Sequence, residues 1–399
     1  MGGDRRDGSR EDVHGASSFS PQEARAAWIE AARLRTLPLA ASGSLIAAGI
    51  AASRGAFRPE VFALMLVVSV LLQVIANFAD DYGDLSHGLD DETRVGPKRG
   101  MQRGVITPSQ MFRALVVMCL ATFALGCALI YVSFAGGPAM EGGTAAAMTA
   151  FLVLGIAAIA AAVFYTVGPH PYGYLGLGDF MSFIFFGLVA VIAGSFLYLH
   201  EFEPAAIVAA LALGLPVAAV MNINNMRDST ADAAKGKRTI ANALYALGSR
   251  KGRQIAQGAS REEIAALAAK LEHGVGVKAT EVDEALAQGG AEAVARATDP
   301  EHLAGIMGER YMRFYHVSLV YASLALFLVA VFLTCGVKLA SFVAAAAVWA
   351  AFTPLMRSLG GVIHQIDHTK LDRFMAPTSL GTVLVAIVFA LSVALASLF

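Results

Sequence analysis

Charged residues are scarce in this chain. Only 15% of its 399 residues are Asp, Glu, Lys or Arg, against about 25% in an ordinary soluble domain. Neither sign dominates, because 30 Lys and Arg stand against 31 Asp and Glu, so the chain lacks the basic field of a nucleic-acid-binding protein. Only three cysteines occur, all inside apolar runs, which argues against a disulfide framework and a thiolate metal site.

Apolar residues, by contrast, make up 56% of the chain, more than a soluble globule can bury. Nine stretches carry almost no charge and are long enough to cross a bilayer as helices. They are residues 37–53, 61–79, 114–135, 144–166, 175–199, 204–225, 315–336, 339–356 and 374–398. We therefore expect an all-α membrane protein with nine transmembrane helices.

The distribution of Lys and Arg predicts how these helices are oriented. If the N-terminus is cytoplasmic, 27 of the 30 Lys and Arg lie on the inner side and 3 on the outer side. Cytoplasmic loops carry such an excess. We expect a multi-pass protein of the cell membrane (plasma or inner membrane), with a cytoplasmic N-terminus and an external C-terminus.

Three segments differ from the membrane helices in composition. Residues 1–20 are rich in Gly, Ser and charge, which predicts a disordered cytoplasmic tail. Residues 21–35 are amphipathic and form either an interfacial helix or a plain extension of the first span. Residues 251–308 contain helix-start patterns and predict a soluble helical insertion, either structural or an interaction surface. Residues 21–250 and 309–399 would form the main domain.

Two acidic segments follow the second and sixth predicted spans, "NFADDYGDLSHGLDD" at 77–91 and "NINNMRDSTADAAKGKRT" at 222–239. Positions three and four apart share one face of a helix. Two stripes of oxygen-bearing side chains result: Asn77, Asp81 and Asp84, and Asn224, Asp228 and Asp232. Carboxylates at a membrane boundary are costly and usually functional.

Carboxylates gathered at one cavity repel each other and favour a bound counter-ion. Ligands that are all hard oxygens select Mg²⁺ over zinc or copper, and Mg²⁺ typically bridges carboxylates to substrate phosphates. Basic residues follow both segments: Arg94, Lys98, Arg99 and Arg103 after the first, and Arg227, Lys235, Lys237 and Arg238 in or after the second. Each alone is explained by the excess of inner positive charge, but the paired pattern favours a magnesium-dependent diphosphate site.

These segments resemble the paired aspartate-rich motifs of the UbiA superfamily of intramembrane prenyltransferases, and in detail its members that prenylate 1,4-dihydroxy-2-naphthoate in menaquinone synthesis. Also similar are "YTVGPHPYGYLGLGD" at 165–179 and "ARLRTLPLAASGSLIAAG" at 32–49. The chain departs from that subgroup at Asp80, where Asn is usual, at Leu34, where Pro is usual, and in its longer insertion.

The resemblance implies a UbiA-like bundle with cytoplasmic cap helices and an active site that faces the cytoplasm. It implies that a polyprenyl group passes from polyprenyl diphosphate to dihydroxynaphthoate, with loss of CO₂ and diphosphate, to give demethylmenaquinone. It places Mg²⁺ at Asn77, Asp81 and Asp84, and at Asp228 and Asp232 with Asn224 or Asn225; the four aspartates would be the catalytic residues. Diphosphate would be bound by Lys98, Arg99, Arg103, Arg227, Lys235 and Lys237. Arg33, Tyr165 and Asp179 are candidates for the acceptor, although an anchoring or purely structural role explains each of them as well.

Three alternatives compete with this prediction. Within the same fold, the acceptor could be 4-hydroxybenzoate or a tetrapyrrole. A divalent-cation transporter would also carry intramembrane acids, but both acidic segments fall at one face of the membrane. A membrane scaffold that docks through the insertion would leave the acidic segments unexplained.

Overall fold

The computed structural model describes residues 19–88, 98–135, 143–273, 298–365 and 367–399. Fourteen α-helices run through these residues: α1 (Pro21–Ala32), α2 (Leu37–Ser53), α3 (Pro59–Ser86), α4 (Pro108–Ala135), α5 (Thr144–Phe164), α6 (Gly178–Leu199, with a π-helical middle), α7 (Pro204–Arg227), α8 (Ser229–Ala234), α9 (Ile240–Gln257), α10 (Arg261–His273), α11 (Pro300–Cys335), α12 (Leu339–Ala351), α13 (Thr353–His364) and α14 (Met375–Ala396). Short 3₁₀ helices lie at Tyr172–Tyr174 and His368–Phe374. Most of the predicted tail lies outside the described residues.

Local sequence signals fix where the long helices begin and end. Pro204 and Pro300 occupy first turns, where the missing N–H costs no hydrogen bond. Glu203 and Asp299, just before them, accept hydrogen bonds from backbone N–H groups of those turns. Gly336, with φ 73°, follows the last residue of α11 and stops it.

The described helices account for a multi-pass membrane protein. Eight of them, counting α12 with α13 and the second 3₁₀ helix with α14, are long and apolar enough to cross a bilayer. A ninth arises if α1 and α2, which are bent by 45°, form one span. The predicted class is confirmed, and the predicted count of nine rests on how that bent pair is assigned.

Helix α7 is the most buried of the spans. It packs closely on α6, since a Cβ at Gly187 would lie 2.6 Å from the Cα of Gly214. Pro216 interrupts α7 and leaves the carbonyl of Ala212 without its helical donor. The hydroxyl of Ser323 in α11 donates to that carbonyl at 2.7 Å, so the break is satisfied and α7 is held in the centre of the bundle.

Helix α1 does not continue α2 in a straight line. Its last residue is followed by Arg33, whose φ of 53° lies in the left-handed region. The helix packs on α3, where the rings of Trp28 and Phe78 meet edge to face at 5.4 Å. The amphipathic segment is therefore a separate helix that covers one end of α3.

The predicted insertion is helical where it is described, over Arg261–His273, and residues 274–297 lie outside the described part. Its predicted limits at 251 and 308 fall inside α9 and α11, which run on into the bundle. These two helices are in close contact, because a Cβ at Gly248 would lie 2.5 Å from the carbonyl oxygen of Met307. At residues 251 and 308 the described chain is therefore helical, and no loop there separates the predicted insertion from the main domain.

Candidate functional site

The first acidic cluster occupies the last turns of α3. This helix extends to Ser86, beyond the predicted end of the span, and it carries Asp80, Asp81 and Asp84 with Asp81 only 2% exposed. Arg99 contacts all three carboxylates, at 3.0, 2.9 and 3.2 Å respectively. Burial would lower the pKa of the Arg99 guanidinium, but the three carboxylates raise it above its ordinary value. Arg99 is therefore a permanent cation within the cluster.

Arg33 reaches the same cluster from the turn after α1. Its guanidinium pairs with Asp80 and, at 2.8 Å, with Asp81. The amide of Asn77 donates to the carbonyl of Ala32 at 2.9 Å and accepts from Gln73 at 3.1 Å. The predicted ligand Asn77 thus holds the turn that presents Arg33.

Gly83 lets α3 approach the end of α5 at this cluster. A Cβ at Gly83 would lie 2.3 Å from the carbonyl oxygen of Thr166, a backbone atom that cannot easily give way. We predict that Gly83→Ala destabilises the protein by about 1–3 kcal/mol, the usual cost of overpacking, and lowers its thermal midpoint in detergent. Gly126→Ala is the matched control, because a Cβ there meets nothing within 4 Å. Equal midpoints for the two variants would contradict the close approach.

The second acidic cluster lies where α7 ends. Helix α7 stops at Arg227, Asp228 follows as its C-cap, and Asp232 lies on the separate helix α8. Asn224, Asp228 and Asp232 do not lie on one uninterrupted helix, because a turn at Asp228 separates α7 from α8. Helical backbone hydrogen bonds nevertheless run from Asp228 to Asn224 at 3.1 Å and from Asp232 to Asp228 at 2.8 Å. Arg227 also joins the first two, since it donates to Asp228 at 2.8 and 2.6 Å and to Asn224 at 2.8 Å.

Lys237 and Tyr174 connect the two clusters. The ammonium of Lys237 lies 3.4 Å from an Asp232 oxygen that has no hydrogen-bond partner, and 5.7 Å from the centre of the Tyr174 ring. The Tyr174 hydroxyl donates to Asp84 at 2.8 Å. Burial raises the pKa of Asp232 to about 6, an effect that Lys237 partly offsets. Burial also lowers the pKa of Lys237, but Asp232 and Asp84 raise it above the ordinary value.

Tyr174 was not among the predicted site residues. It lies in the short 3₁₀ helix between α5 and α6, and its carbonyl accepts from the backbone N–H of Arg238 at 3.0 Å. This contact ties the turn to the segment that follows the second cluster. Burial and the charge of Asp84 raise the pKa of the Tyr174 phenol. The turn sequence at 165–179 was the only sequence signal for it, since Tyr174 carries no charge and belongs to no helix stripe.

Two predicted acceptor residues lie next to these clusters. The Tyr165 ring fits against Gly173, where a Cβ would lie 2.6 Å from the ring, and its hydroxyl donates to the sulfur of Met221 at 3.6 Å. Asp179, buried at the start of α6, accepts from the Asn225 amide at 2.7 Å. Asn225 therefore faces Asp179, whereas Asn224 faces Arg227.

The remaining predicted basic residues differ in position. Arg103 pairs with Glu30 of α1 at 2.5 Å. Lys98 is exposed and Lys235 is partly buried. Arg94 lies outside the described residues. Arg99, Arg227 and Lys237 contact the clustered aspartates, as Arg33 does.

The oxygen-bearing side chains of the two clusters are suitable ligands for Mg²⁺. Among the described residues, no three His, Cys, Asp or Glu side chains form a metal site on their own. Mg²⁺ is commonly held by one or two carboxylates, with water and substrate phosphates as its other ligands. Paired carboxylates, among them the buried Asp232 oxygen that lies 3.4 Å from the Lys237 ammonium, offer such ligands. Asp90, Asp91 and Glu92 lie outside the described residues.

Comparison with known proteins places both clusters in one family region. The sequence model of the UbiA prenyltransferase family matches residues 41–260. The chain is 43% identical over 214 residues to 1,4-dihydroxy-2-naphthoate octaprenyltransferase of Escherichia coli (strain K12). The matched residues make up 54% of this chain and 67% of that protein. The chain is 42% identical over 228 residues to the Haemophilus influenzae protein of the same name, with 57% and 70% covered. A Mycobacterium tuberculosis protein of that name is 34% identical over 235 residues, with 58% and 74% covered.

Proposed function

This chain belongs to the UbiA prenyltransferase family, and we propose that it transfers a polyprenyl group from polyprenyl diphosphate to 1,4-dihydroxy-2-naphthoate in a magnesium-dependent reaction. The observation that carries the proposal is the pair of carboxylate clusters joined through Lys237 and Tyr174 at one end of an apolar bundle. The names of the relatives at 42–43% identity support the acceptor.

The two clusters would hold the donor's diphosphate. Asp81 and Asp84 on one side, and Asp228 and Asp232 on the other, are the oxygen ligands we assign to Mg²⁺, which when bound neutralises diphosphate charge. Asn77 and Asn224, predicted as further ligands, would instead orient Arg33 and Arg227 through the contacts described above. Lys98 and Lys235 remain candidates for diphosphate contact at the rim.

The basic residues would stabilise the leaving group. The carbon–oxygen bond of the allylic diphosphate breaks, its electron pair leaves with diphosphate, and an allylic cation remains. Lys237 and Arg99 lie among the carboxylates, where they can stabilise the charge that develops on the leaving oxygen. The apolar spans would enclose the isoprenoid chain and keep water from the cation.

The acceptor would lie beside Tyr165 and Asp179. Asp179 can accept a hydrogen bond from a ring hydroxyl, and Arg33 carries the charge that suits the acceptor carboxylate. A carbon–carbon bond forms between the ring and the allylic cation. The bond from the ring to its carboxylate then breaks, CO₂ leaves, and the electron pair restores the aromatic ring, which gives demethylmenaquinol, the hydroquinone form of demethylmenaquinone.

The excess of Lys and Arg on one side of the spans supports a site that faces the cytoplasm, with the N-terminus on the same side. Both predicted acidic segments belong to that side. A water-soluble acceptor carboxylate would then reach the clusters from the cytoplasm, while the donor's chain would enter from the bilayer.

The proposal predicts the outcome of a direct assay. Detergent-purified protein is incubated with a polyprenyl diphosphate, Mg²⁺ and one acceptor at a time, and the products are identified by mass. We expect turnover with dihydroxynaphthoate, product mass consistent with loss of CO₂, and no turnover in EDTA until Mg²⁺ is restored. Product from 4-hydroxybenzoate or a tetrapyrrole but none from dihydroxynaphthoate would overturn the acceptor assignment. Full activity in EDTA would overturn the metal dependence.

A further inference from the structure

Arg227 is shared between two carboxylates from distant parts of the chain. Its side chain is 6% exposed, so its charge must be balanced within the protein. One edge of the guanidinium faces Asp228 and Asn224, as described above. The remaining nitrogen, Nη1, donates to Asp372 at 2.5 Å and contacts the sulfur of Met375 at 3.6 Å. Asp372 belongs neither to the acidic segments nor to the region matched by the family model.

Asp372 is carried by an anchored element. It lies in the 3₁₀ helix His368–Phe374, which precedes α14. His368, the first residue of that helix, contacts Glu309 of α11 at 3.1 Å and Thr230 of α8 at 3.2 Å. Ser358 of α13 donates to the carbonyl of Phe374 at its other end at 3.3 Å. Contacts at both ends therefore fix the position of Asp372 relative to the second cluster.

The second oxygen of Asp372 extends the connection to the first cluster. It accepts from Arg35 at 3.4 Å, and Arg35 lies in the same turn as Arg33, which pairs with Asp80 and Asp81. Ion pairs from Arg33 to the first cluster and from Arg227 to the second are thus linked through this turn and Asp372. This connection is separate from the one made by Lys237 and Tyr174.

The charges give Asp372 a specific effect on Asp228. A buried guanidinium with a single carboxylate partner would neutralise that partner almost completely. Asp372 accepts a hydrogen bond from one end of the Arg227 guanidinium, and the other end holds Asp228 in position. Because the positive charge of Arg227 is shared between two carboxylates, Asp228 keeps more of its negative charge. A carboxylate in that state is a better ligand for a cation than one fully paired with arginine.

We propose that Asp372 is a positioning residue of the diphosphate site, which orients Arg227 and preserves the affinity of Asp228 for a divalent cation. This inference rests on the proposed role of Asp228 in binding Mg²⁺. Loss of an orienting partner around a metal site typically costs about 10–100-fold in metal affinity or activity. We expect a loss in that range for Asp372→Asn, which keeps the shape of the side chain but removes its charge.

The test uses binding as well as turnover. The thermal midpoint of the full-length protein in detergent is titrated with Mg²⁺ at a fixed concentration of inorganic diphosphate, since ligands that bind the folded state raise the midpoint. Asp372→Asn should need about 10–100-fold more Mg²⁺ than the wild type to reach half of the full shift. In turnover, the KM for the donor should rise while the KM for the acceptor stays the same. Asp372→Glu, which restores the charge, should recover part of the loss.

Asp367→Asn is the matched control. Asp367 precedes the same 3₁₀ helix and pairs with Lys370 at 3.0 Å on the surface, so its Mg²⁺ requirement should equal that of the wild type. Identical titrations for Asp372→Asn and Asp367→Asn would overturn the inference, as would a lower midpoint for Asp372→Asn with an unchanged Mg²⁺ requirement. If the wild type itself shows no Mg²⁺-dependent shift and no Mg²⁺-dependent turnover, the proposed function fails instead.

Discussion

Asp81→Ala and Asp228→Ala are each expected to reduce prenyl transfer about a thousandfold or more. Each substitution removes a carboxylate from one of the two clusters that we assign to Mg²⁺ and diphosphate. A metal ion contributes several kcal/mol to the stabilisation of a developing phosphate charge, and each 1.4 kcal/mol corresponds to about a factor of ten in rate. Turnover of dihydroxynaphthoate by purified protein, followed by product mass, measures the loss.

The double variant makes this prediction sharper. If the two clusters act on one diphosphate, either single substitution disables the same step, so Asp81→Ala/Asp228→Ala should be hardly slower than each single variant. Glu301→Gln is the control, because Glu301 pairs with Arg253 and both side chains are exposed to solvent. Losses that multiply in the double variant would indicate two independent sites. Turnover within a factor of three of the wild type in either single variant would contradict the proposed mechanism.

The first cluster could be predicted from the sequence because its geometry is local. Asp81 and Asp84 lie three residues apart on one uninterrupted helix, and α3 carries them as the spacing predicts. The second cluster could be predicted only in part. Its residues lie together although α7 ends at Arg227 and Asp232 lies on α8, because backbone hydrogen bonds from Asp228 to Asn224 and from Asp232 to Asp228 continue across the break.

The connections between the clusters could not be predicted by spacing. The Tyr174 contact with Asp84 spans 90 residues and the Arg227 contact with Asp372 spans 145 residues. Helix periodicity carries no information over such separations, because they depend on how the spans pack. Charge patterning also did not indicate that Arg103, which follows the first acidic segment, pairs with Glu30. The predicted class, an all-α multi-pass membrane protein, needed only composition, and it is confirmed.

Lys237→Met is expected to lower the turnover number about 100- to 1000-fold, the usual cost of removing one preorganised group that stabilises developing charge. Lys237 lies between the clusters, close to Asp232, and Asp232 and Asp84 keep it protonated. Its charge would therefore be in place as the carbon–oxygen bond of the donor breaks. Lys370→Met, on the surface beside Asp367, should retain wild-type turnover.

A competing role for Lys237 is to balance the charge of the carboxylates alone. In that case a high concentration of Mg²⁺ would replace it, and Lys237→Met would recover its turnover number at saturating Mg²⁺. If Lys237 stabilises the leaving diphosphate, the turnover number stays low at saturating Mg²⁺, and Lys237→Arg recovers more of it than Lys237→Met because a cation is retained. Measuring the turnover number of both variants over a range of Mg²⁺ concentrations separates the two roles. Only in the leaving-group role does the turnover number of Lys237→Met stay below that of the wild type at saturating Mg²⁺.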